Sequence, residues 1–486
     1  MSDGPACFLG IDCGTQSTKA VLVDAGSGGV RGVAASPHRL DLRPDGTSEQ
    51  DPLDWVEAAV AAVRAVLAQA TPGEIRGIGV SGQQHGLVAL DAAGTPVRPA
   101  KLWNDTTTGP ECGLLTDALG GPEAAIAATG NRFLTGYTAP KLLWLRRHEP
   151  DHYAAATRFC LPHDYLNLWL TGTFATEPGD ASGTAYFDVR ERRYSDAVLS
   201  AIDPDRDWSS ALPPIVESLS IVGVLAPASA ERLGLASGIP VSAGGGDNMS
   251  AALGVGAVDE GPLVVSLGTS GTAFGRRDLP AVDPMGEVSA FCDSAGGWLP
   301  LGCVLNCAGV VDWARSLGGG ISLQAALAAS PPGADGLTLL PYLVGERTPD
   351  LPRSAGTLSG LRLDHDGNDL VRAAVEGVTI GLAFALEALG RTGTRAERLL
   401  LIGGGGRSDA WGQLVADVTG MPVERPAVAE AAASGAAAQA RWVVDGQRPH
   451  PAIAERTWEP RVDERLEAAL ERHAALRRLA LEGRLA

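Results

Sequence analysis

The chain has 486 residues, 45% of them hydrophobic, and a formal net charge of -18. That length fits two large domains, and the acidic balance argues against nucleic acid or an anionic membrane as the main partner. The cysteines Cys7, Cys13, Cys112, Cys160, Cys292, Cys303 and Cys307 are odd in number and irregular in spacing, a poor disulfide framework that reads as buried thiols in a reducing compartment. Cys303 and Cys307 could share a helix face, but no second pair completes a zinc site. The opening Met-Ser-Asp-Gly has no basic region of a signal peptide, and no apolar run reads as long enough to cross a bilayer. The expectation is a cytoplasmic protein.

The first eighty residues read β-β-β-α-β. Residues 8–12 and 20–24 are strands around a Gly-Thr turn, 26–29 a hairpin turn and 30–40 a third strand. Asp51 caps a helix that begins at Pro52 and runs to about residue 70, and 75–81 is a strand of small residues. Glycines cluster between 244 and 257, where the halves of the chain would meet. The second half repeats the theme: strand 262–267, turn 268–271, return strand 272–275, then an amphipathic helix over 370–389. A strand over 399–402 enters four glycines, Ser408 opens a helix to 419, and 422–424 is a short strand. An alanine-rich helix over 430–444 and a charged surface helix over 461–485 follow. The whole is α/β with mixed sheets.

Four segments carry chemistry: Gly10-Ile11-Asp12-Cys13-Gly14-Thr15-Gln16-Ser17, Gly244-Gly245-Gly246-Asp247-Asn248, Gly268-Thr269-Ser270-Gly271-Thr272 and Gly403-Gly404-Gly405-Gly406-Arg407-Ser408. Glycine lets backbone approach a phosphate, and the amides of Gly14, Thr15 and Gln16 can donate to it. Asp12 could hold Mg²⁺, and Lys19 could add positive charge near phosphate or be a solvated strand residue. Asp247 could cap a helix or serve as a base. The order of the segments points to phosphoryl transfer from a nucleotide to a small hydroxyl compound. The four consecutive glycines do not fit the Gly-x-Gly-x-x-Gly dinucleotide fingerprint.

With Ser81-Gly82-Gln83-Gln84-His85-Gly86, Leu102-Trp103-Asn104-Asp105, Thr138-Ala139-Pro140-Lys141-Leu142-Leu143-Trp144 and Tyr342-Leu343-Val344-Gly345-Glu346-Arg347-Thr348-Pro349, the chain resembles the FGGY carbohydrate kinases over nearly its whole length. The resemblance implies two ribonuclease H-like domains of the actin/hexokinase type with a cleft between them. Residues 1–246 would hold the sugar and the first phosphate turn, and 247–486 the second phosphate turn and the adenosine pocket. It implies ATP as co-substrate, Mg²⁺ at Asp12, and phosphorylation of D-xylulose to D-xylulose 5-phosphate with Asp247 as general base. It assigns sugar contacts to Gln84, His85, Trp103, Asn104 and Asn248. Phosphate contacts fall to Gly14, Thr15, Gln16, Lys19, Gly268, Thr269 and Ser270, and adenosine to Gly404, Gly405 and Ser408. Gln84 departs from the Met-His-Gly usual in the family. The partners expected are a small sugar and ATP, with neither nucleic acid nor membrane, and a homodimer is entertained. The rival readings are a sister kinase for another ketose, polyol or sugar acid, and an actin-like ATPase without a sugar pocket.

Overall fold

Every residue of the first strand, β1 (Cys7–Cys13), is buried, because helices cover both faces of its sheet. A computed structural model describes residues 4–70 and 72–485; the N-terminal reading falls partly on residues 1–3, outside the described residues. The chain forms two compact units. The first runs to Val258 and takes back Arg276–Leu299 and Val428–Ala452; the second holds Asp259–Gly275, Pro300–Ala427 and the chain from Ile453.

In the first unit, β1, β2 (Ser17–Asp24) and β3 (Val30–Pro37) form an antiparallel meander. β4 (Ile75–Gly82) lies parallel to β1 on its other side. Beyond it, β5 (Ile221–Val224) and β6 (Pro240–Ser242) complete the order β5-β6-β4-β1-β2-β3, and the two-residue β7 (Gly245–Gly246) also pairs with β4. Helix α1 (Pro52–Ala70) starts where expected, with the Leu53 N–H donating to Asp51 Oδ1 at 2.9 Å. Its Trp55, Val63 and Val66 pack against Leu9 and Ile11 of β1. The stretch between β4 and β5, which the sequence left unassigned, contributes helices that include α2 (Pro162–Thr171). Helix α3 (Asp247–Gly254) follows β7 directly.

The second unit repeats the plan. β8 (Pro262–Leu267), β9 (Gly271–Phe274) and β10 (Leu301–Val304) are an antiparallel meander. β11 (Arg398–Ile402) and β12 (Val423–Pro426) continue it in parallel, and β13 (Ala454–Trp458) closes the order β10-β9-β8-β11-β12-β13. Cys303 lies on β10 and Cys307 just before a helix, so the two do not share a helix face as the spacing proposed. Helix α4 (Gly367–Arg391) is long and apolar enough to cross a membrane, contrary to the sequence reading. Its apolarity serves burial inside this unit, where it also carries the buried Arg372–Glu376 ion pair at 2.7 Å. Helix α5 (Asp409–Thr419) is capped by Ser408, whose Oγ accepts from the Trp411 N–H at 3.3 Å.

The alanine-rich helix α6 (Ala431–Asp445) belongs to the first unit, although it follows β12 in sequence. A division at 246/247 and the compact units therefore differ. Small side chains are the physical reason: α6 lies so close that a Cβ on Gly10 would meet Ala433 O at 1.8 Å and one on Gly435 would meet Ser250 O at 1.7 Å. Ala433, Ala437 and Ala440 cover Phe8 and Val21 on the sheet face opposite α1, while Gly435 meets α3.

Candidate active site

Three adjacent strands of the first unit end at one place. In register, Cys13 of β1 faces Gly82 of β4, and Gly246 of β7 faces Gly82 from the other side. The chain beyond them supplies Gly14-Thr15-Gln16, Gln83-Gln84-His85 and Asp247-Asn248. The carboxyl ends of parallel strands are where open α/β sheets bind ligands.

Asp12, the last residue but one of β1, is buried and accepts from Ser81 Oγ on β4 at 2.8 Å. Burial raises its pKa, against the pull of Lys19, its antiparallel partner on β2. Lys19 Nζ is paired with Glu430 Oε2 at 2.7 Å, an acidic partner that the sequence reading did not foresee. In the turn, Gly14 N–H donates to Ser17 O at 3.1 Å, so of the three amides expected to face phosphate those of Thr15 and Gln16 remain. The Thr15 hydroxyl donates to Gln83 Oε1 at 3.2 Å and accepts from the Trp103 indole at 2.9 Å. Trp103 thus braces the first turn through its indole nitrogen. Asn104 accepts from Ser48 Oγ at 2.8 Å through its Oδ1.

Asp247 is the first residue of α3, with partial access to solvent. Its Oδ1 accepts from the Asn248 N–H at 2.8 Å and from Asn248 Nδ2 at 2.9 Å. Asn248 Nδ2 also donates to Gln84 Oε1 at 2.9 Å. A hydrogen-bonded line Asp247–Asn248–Gln84 results, and it ends in a buried donor, Gln84 Nε2, that has no acceptor. Burial, then the like charges of Asp12 and Asp180, push the Asp247 carboxyl up to about 7. A carboxylate so poised accepts protons well near neutral pH.

His85 adopts a left-handed conformation, φ 67°, unusual outside glycine. Its carbonyl is held by Lys141 Nζ at 2.8 Å and by Thr138 Oγ1 at 3.1 Å. Its ring lies 4.9 Å from the Tyr137 ring and 5.5 Å from that of Phe291. Sequence reasoning quoted the Lys141 segment but did not assign Lys141, Tyr137 or Phe291 to the site. Phe291 comes from a stretch that returns to the first unit late in the chain, and no local pattern marks it.

A second layer went unread in the sequence. His163 on α2 is fully buried, with Nδ1 2.5 Å from Asp180 Oδ2 and Nε2 3.2 Å from Asp164 Oδ1. Glu177 accepts from the Gly179 and Asp180 N–H groups and from the Ser218 and Ser294 hydroxyls. Desolvation pushes Asp164 and Glu177 up to about 7 and also raises Asp180 well above the ordinary carboxylate range. These groups pack closely about the glycines ahead of Asp247: a Cβ on Gly245 would meet Ser294 Oγ at 2.1 Å.

In the second unit, β8 and β11 are parallel and in register at Ser266 and Ile402, so the turn at Gly268 and the glycine loop at Gly403 leave the sheet side by side. Gly268 N–H donates to Ser270 O at 3.1 Å, the counterpart of the Gly14 bond, and Thr269 O accepts from the Cys307 N–H at 3.3 Å. Gly405 packs on Leu267 and Trp411, while a Cβ on Gly404 would meet nothing within 4 Å. The backbone of Gly404 is therefore open to a ligand.

Each unit thus sets a Gly-Thr turn between the first two strands of a meander, and the first unit adds two carboxylates and a row of amides, an arrangement suited to a phosphotransferase. Sequence comparison agrees. The N-terminal domain model of the FGGY family of carbohydrate kinases matches residues 7–254, and the C-terminal domain model matches 263–443. The chain belongs to the FGGY family of carbohydrate kinases. It is 41% identical over 447 residues to a xylulose kinase of Haemophilus influenzae, covering 90% of each chain. With a xylulose kinase of Streptomyces coelicolor it shares 41% over 482 residues, 98% of this chain and 96% of the relative. A xylulose kinase structure from Brucella ovis superposes with a TM-score of 0.89 at 35% identity, covering 98% of this chain and 99% of that one.

Proposed function

We propose that this sugar kinase transfers the γ-phosphoryl group of ATP to D-xylulose, giving D-xylulose 5-phosphate. The observation that carries the chemistry is the line Asp247–Asn248–Gln84, which puts a carboxylate near pKa 7 beside amides matched to hydroxyls. Asp247 Oδ1 is held by Asn248, which leaves Oδ2 to take the proton of the attacking hydroxyl as the P–O bond forms. Gln84, His85, Trp103, Asn104 and Asn248 include neither lysine nor arginine, so a neutral ketose suits them better than a sugar acid, whose carboxylate calls for a cation. The relatives named xylulose kinase support the choice of sugar. Gln84 Nε2, buried and lacking an acceptor, would donate to a sugar oxygen, which supports the reading.

Nucleotide phosphates are assigned to the Thr15 and Gln16 amides, to Lys19, and to Gly268, Thr269 and Ser270; adenosine is assigned to Gly404, Gly405 and Ser408. The residues present fit Mg²⁺: Asp12 offers carboxylate oxygen, and among the described residues no cluster of three or more His, Cys, Asp or Glu builds a protein cage. That matches an ion held by one carboxylate, water and phosphate oxygens. When bound, the ion would neutralise charge on the transferring phosphoryl group. Seven free cysteines fit a reducing, cytoplasmic location.

A coupled ADP-release screen over pentuloses, polyols and sugar acids tests the substrate. D-Xylulose is expected to give the highest kcat/KM; a higher value for gluconate or glycerol would reassign the sugar and leave the kinase class intact. Gln84→Met is expected to retain activity on D-xylulose, and complete loss would show that this pocket holds its sugar through the Gln84 amide.

A further inference from the structure

We infer that Gln439, on helix α6, is a positioning residue for Asp247; the inference rests on the reading of Asp247 as the general base. Gln439 is 1% exposed, and its side chain enters the turn that precedes β7. Its Oε1 accepts from the Gly244 N–H at 2.8 Å and from Ser242 Oγ at 2.8 Å. Its Nε2 lies 2.9 Å from Gly244 O, 3.1 Å from Ser218 O and 3.1 Å from Ser294 O. One amide therefore grips both polar groups of the Gly244 residue and ties that turn to two other segments. The orientation is unambiguous: the oxygen faces only donors, and the nitrogen only carbonyls.

Gly244 needs such a clamp. Its φ is 79°, a region that L side chains rarely adopt, and a Cβ there would meet Val80 O at 2.4 Å. The sharp turn sends Gly245–Gly246 alongside β4 and starts α3 at Asp247, three residues after the clamped glycine. The base for the clamp is rigid, because α6 touches the sheet at Gly10 and α3 at Gly435 through backbone contacts. Gln439 and the helix that carries the base are thus fixed to one another from both ends of the turn. Small errors in the position of a reacting group cost rate steeply, about 10²-fold for 1 Å.

The test is a double-mutant cycle in the full-length enzyme, with D-xylulose and ATP as substrates. Gln439→Met keeps the length and removes all five polar contacts. It is expected to lower kcat about tenfold or more, with KM for both substrates within about twofold of wild type. In the Asp247→Asn background the same change should cost nothing further, since there is no base left to aim. Should the methionine variant fail to fold in thermal melts, Gln439→Glu, which keeps Oε1 and loses the donor, carries the same cycle. A wild-type kcat for the Gln439 variant, or a loss that multiplies in full with that of Asp247→Asn, would overturn the positioning role. Wild-type kcat for Asp247→Asn alone would instead remove the base and, with it, this inference.

Discussion

The strand ends of the two units follow one plan and carry different chemistry. Both present a Gly-Thr turn closed by a glycine N–H, between the first two strands of a meander and next to a parallel strand. In the first unit that place holds Asp12 and Asp247, both raised in pKa, with buried amides and a further buried layer of Glu177, Asp180 and His163 behind them. In the second unit the turn 268–272 and the loop 403–406 contain no carboxylate at all. Backbone and hydroxyl groups suit the holding of a nucleotide, while desolvated carboxylates suit proton transfer. Substitutions at the desolvated carboxylates of the first unit should therefore act on kcat, and those at or beside the phosphate turns, in either unit, on the KM for ATP.

The sharpest break is Asp247→Asn, which keeps shape and loses the base. Loss of a general base costs about 10²–10⁴ in rate, so kcat is expected to fall by that factor while sugar binding, read by calorimetry, is largely kept. Gly435→Ala comes next. Its Cβ would sit 1.7 Å from Ser250 O, so α6 and α3 must move apart. Overpacking of this kind costs about 1–3 kcal/mol, visible in thermal melts, and kcat should suffer more than the KM for ATP because α3 carries Asp247.

Gly404→Ala examines the second unit alone. Gly404 has φ -61° and ψ -42°, which alanine adopts readily, and its Cβ would meet open space. Stability should hold or rise by up to about 1 kcal/mol. If adenosine lies on this backbone, the KM for ATP should nevertheless rise, by about tenfold for a contact worth about 1.4 kcal/mol. An unchanged KM would move the nucleotide off Gly404. Lys19→Ala is the smallest: Lys19 is half-exposed and already paired with Glu430, so a rise of about threefold in the KM for ATP, with KM for sugar unaltered, is expected from a screened charge. Unchanged nucleotide kinetics would leave Lys19 as the partner of Glu430 only.

What the sequence made legible was local. β1 with its turn, α1 with its Asp51 cap, β8 with Gly268 and α5 with its Ser408 cap all announce themselves within a dozen residues, because turn and cap chemistry is written in neighbouring side chains. The fate of α6 was not legible. Its alanines and glycines imply close packing without naming the surface packed against, and that surface proved to be β1 and α3, both far back in the sequence. For the same reason Gln439 and Phe291 escaped notice, each reaching the site from far along the sequence. Asp247 was found, but its raised pKa was not, since burial of the carboxyl and the nearby like charges of Asp12 and Asp180 arise only once distant segments fold together. Trp103 was named only as a sugar contact implied by the resemblance; the bond from its indole nitrogen to Thr15 was not legible, because the two residues are far apart in sequence.

The pH dependence of kcat/KM for D-xylulose bears most directly on the central claim, that a carboxylate held near neutral pKa accepts the proton of the sugar. A raised pKa leaves Asp247 protonated, and unable to act as a base, on the acid side of about 7. The rate constant should therefore climb with slope one up to a midpoint near 7 and then level off, because kcat/KM reports the free enzyme. A profile already flat from about pH 5 upward, the behaviour of a carboxylate with an ordinary pKa of about 4, would contradict the account.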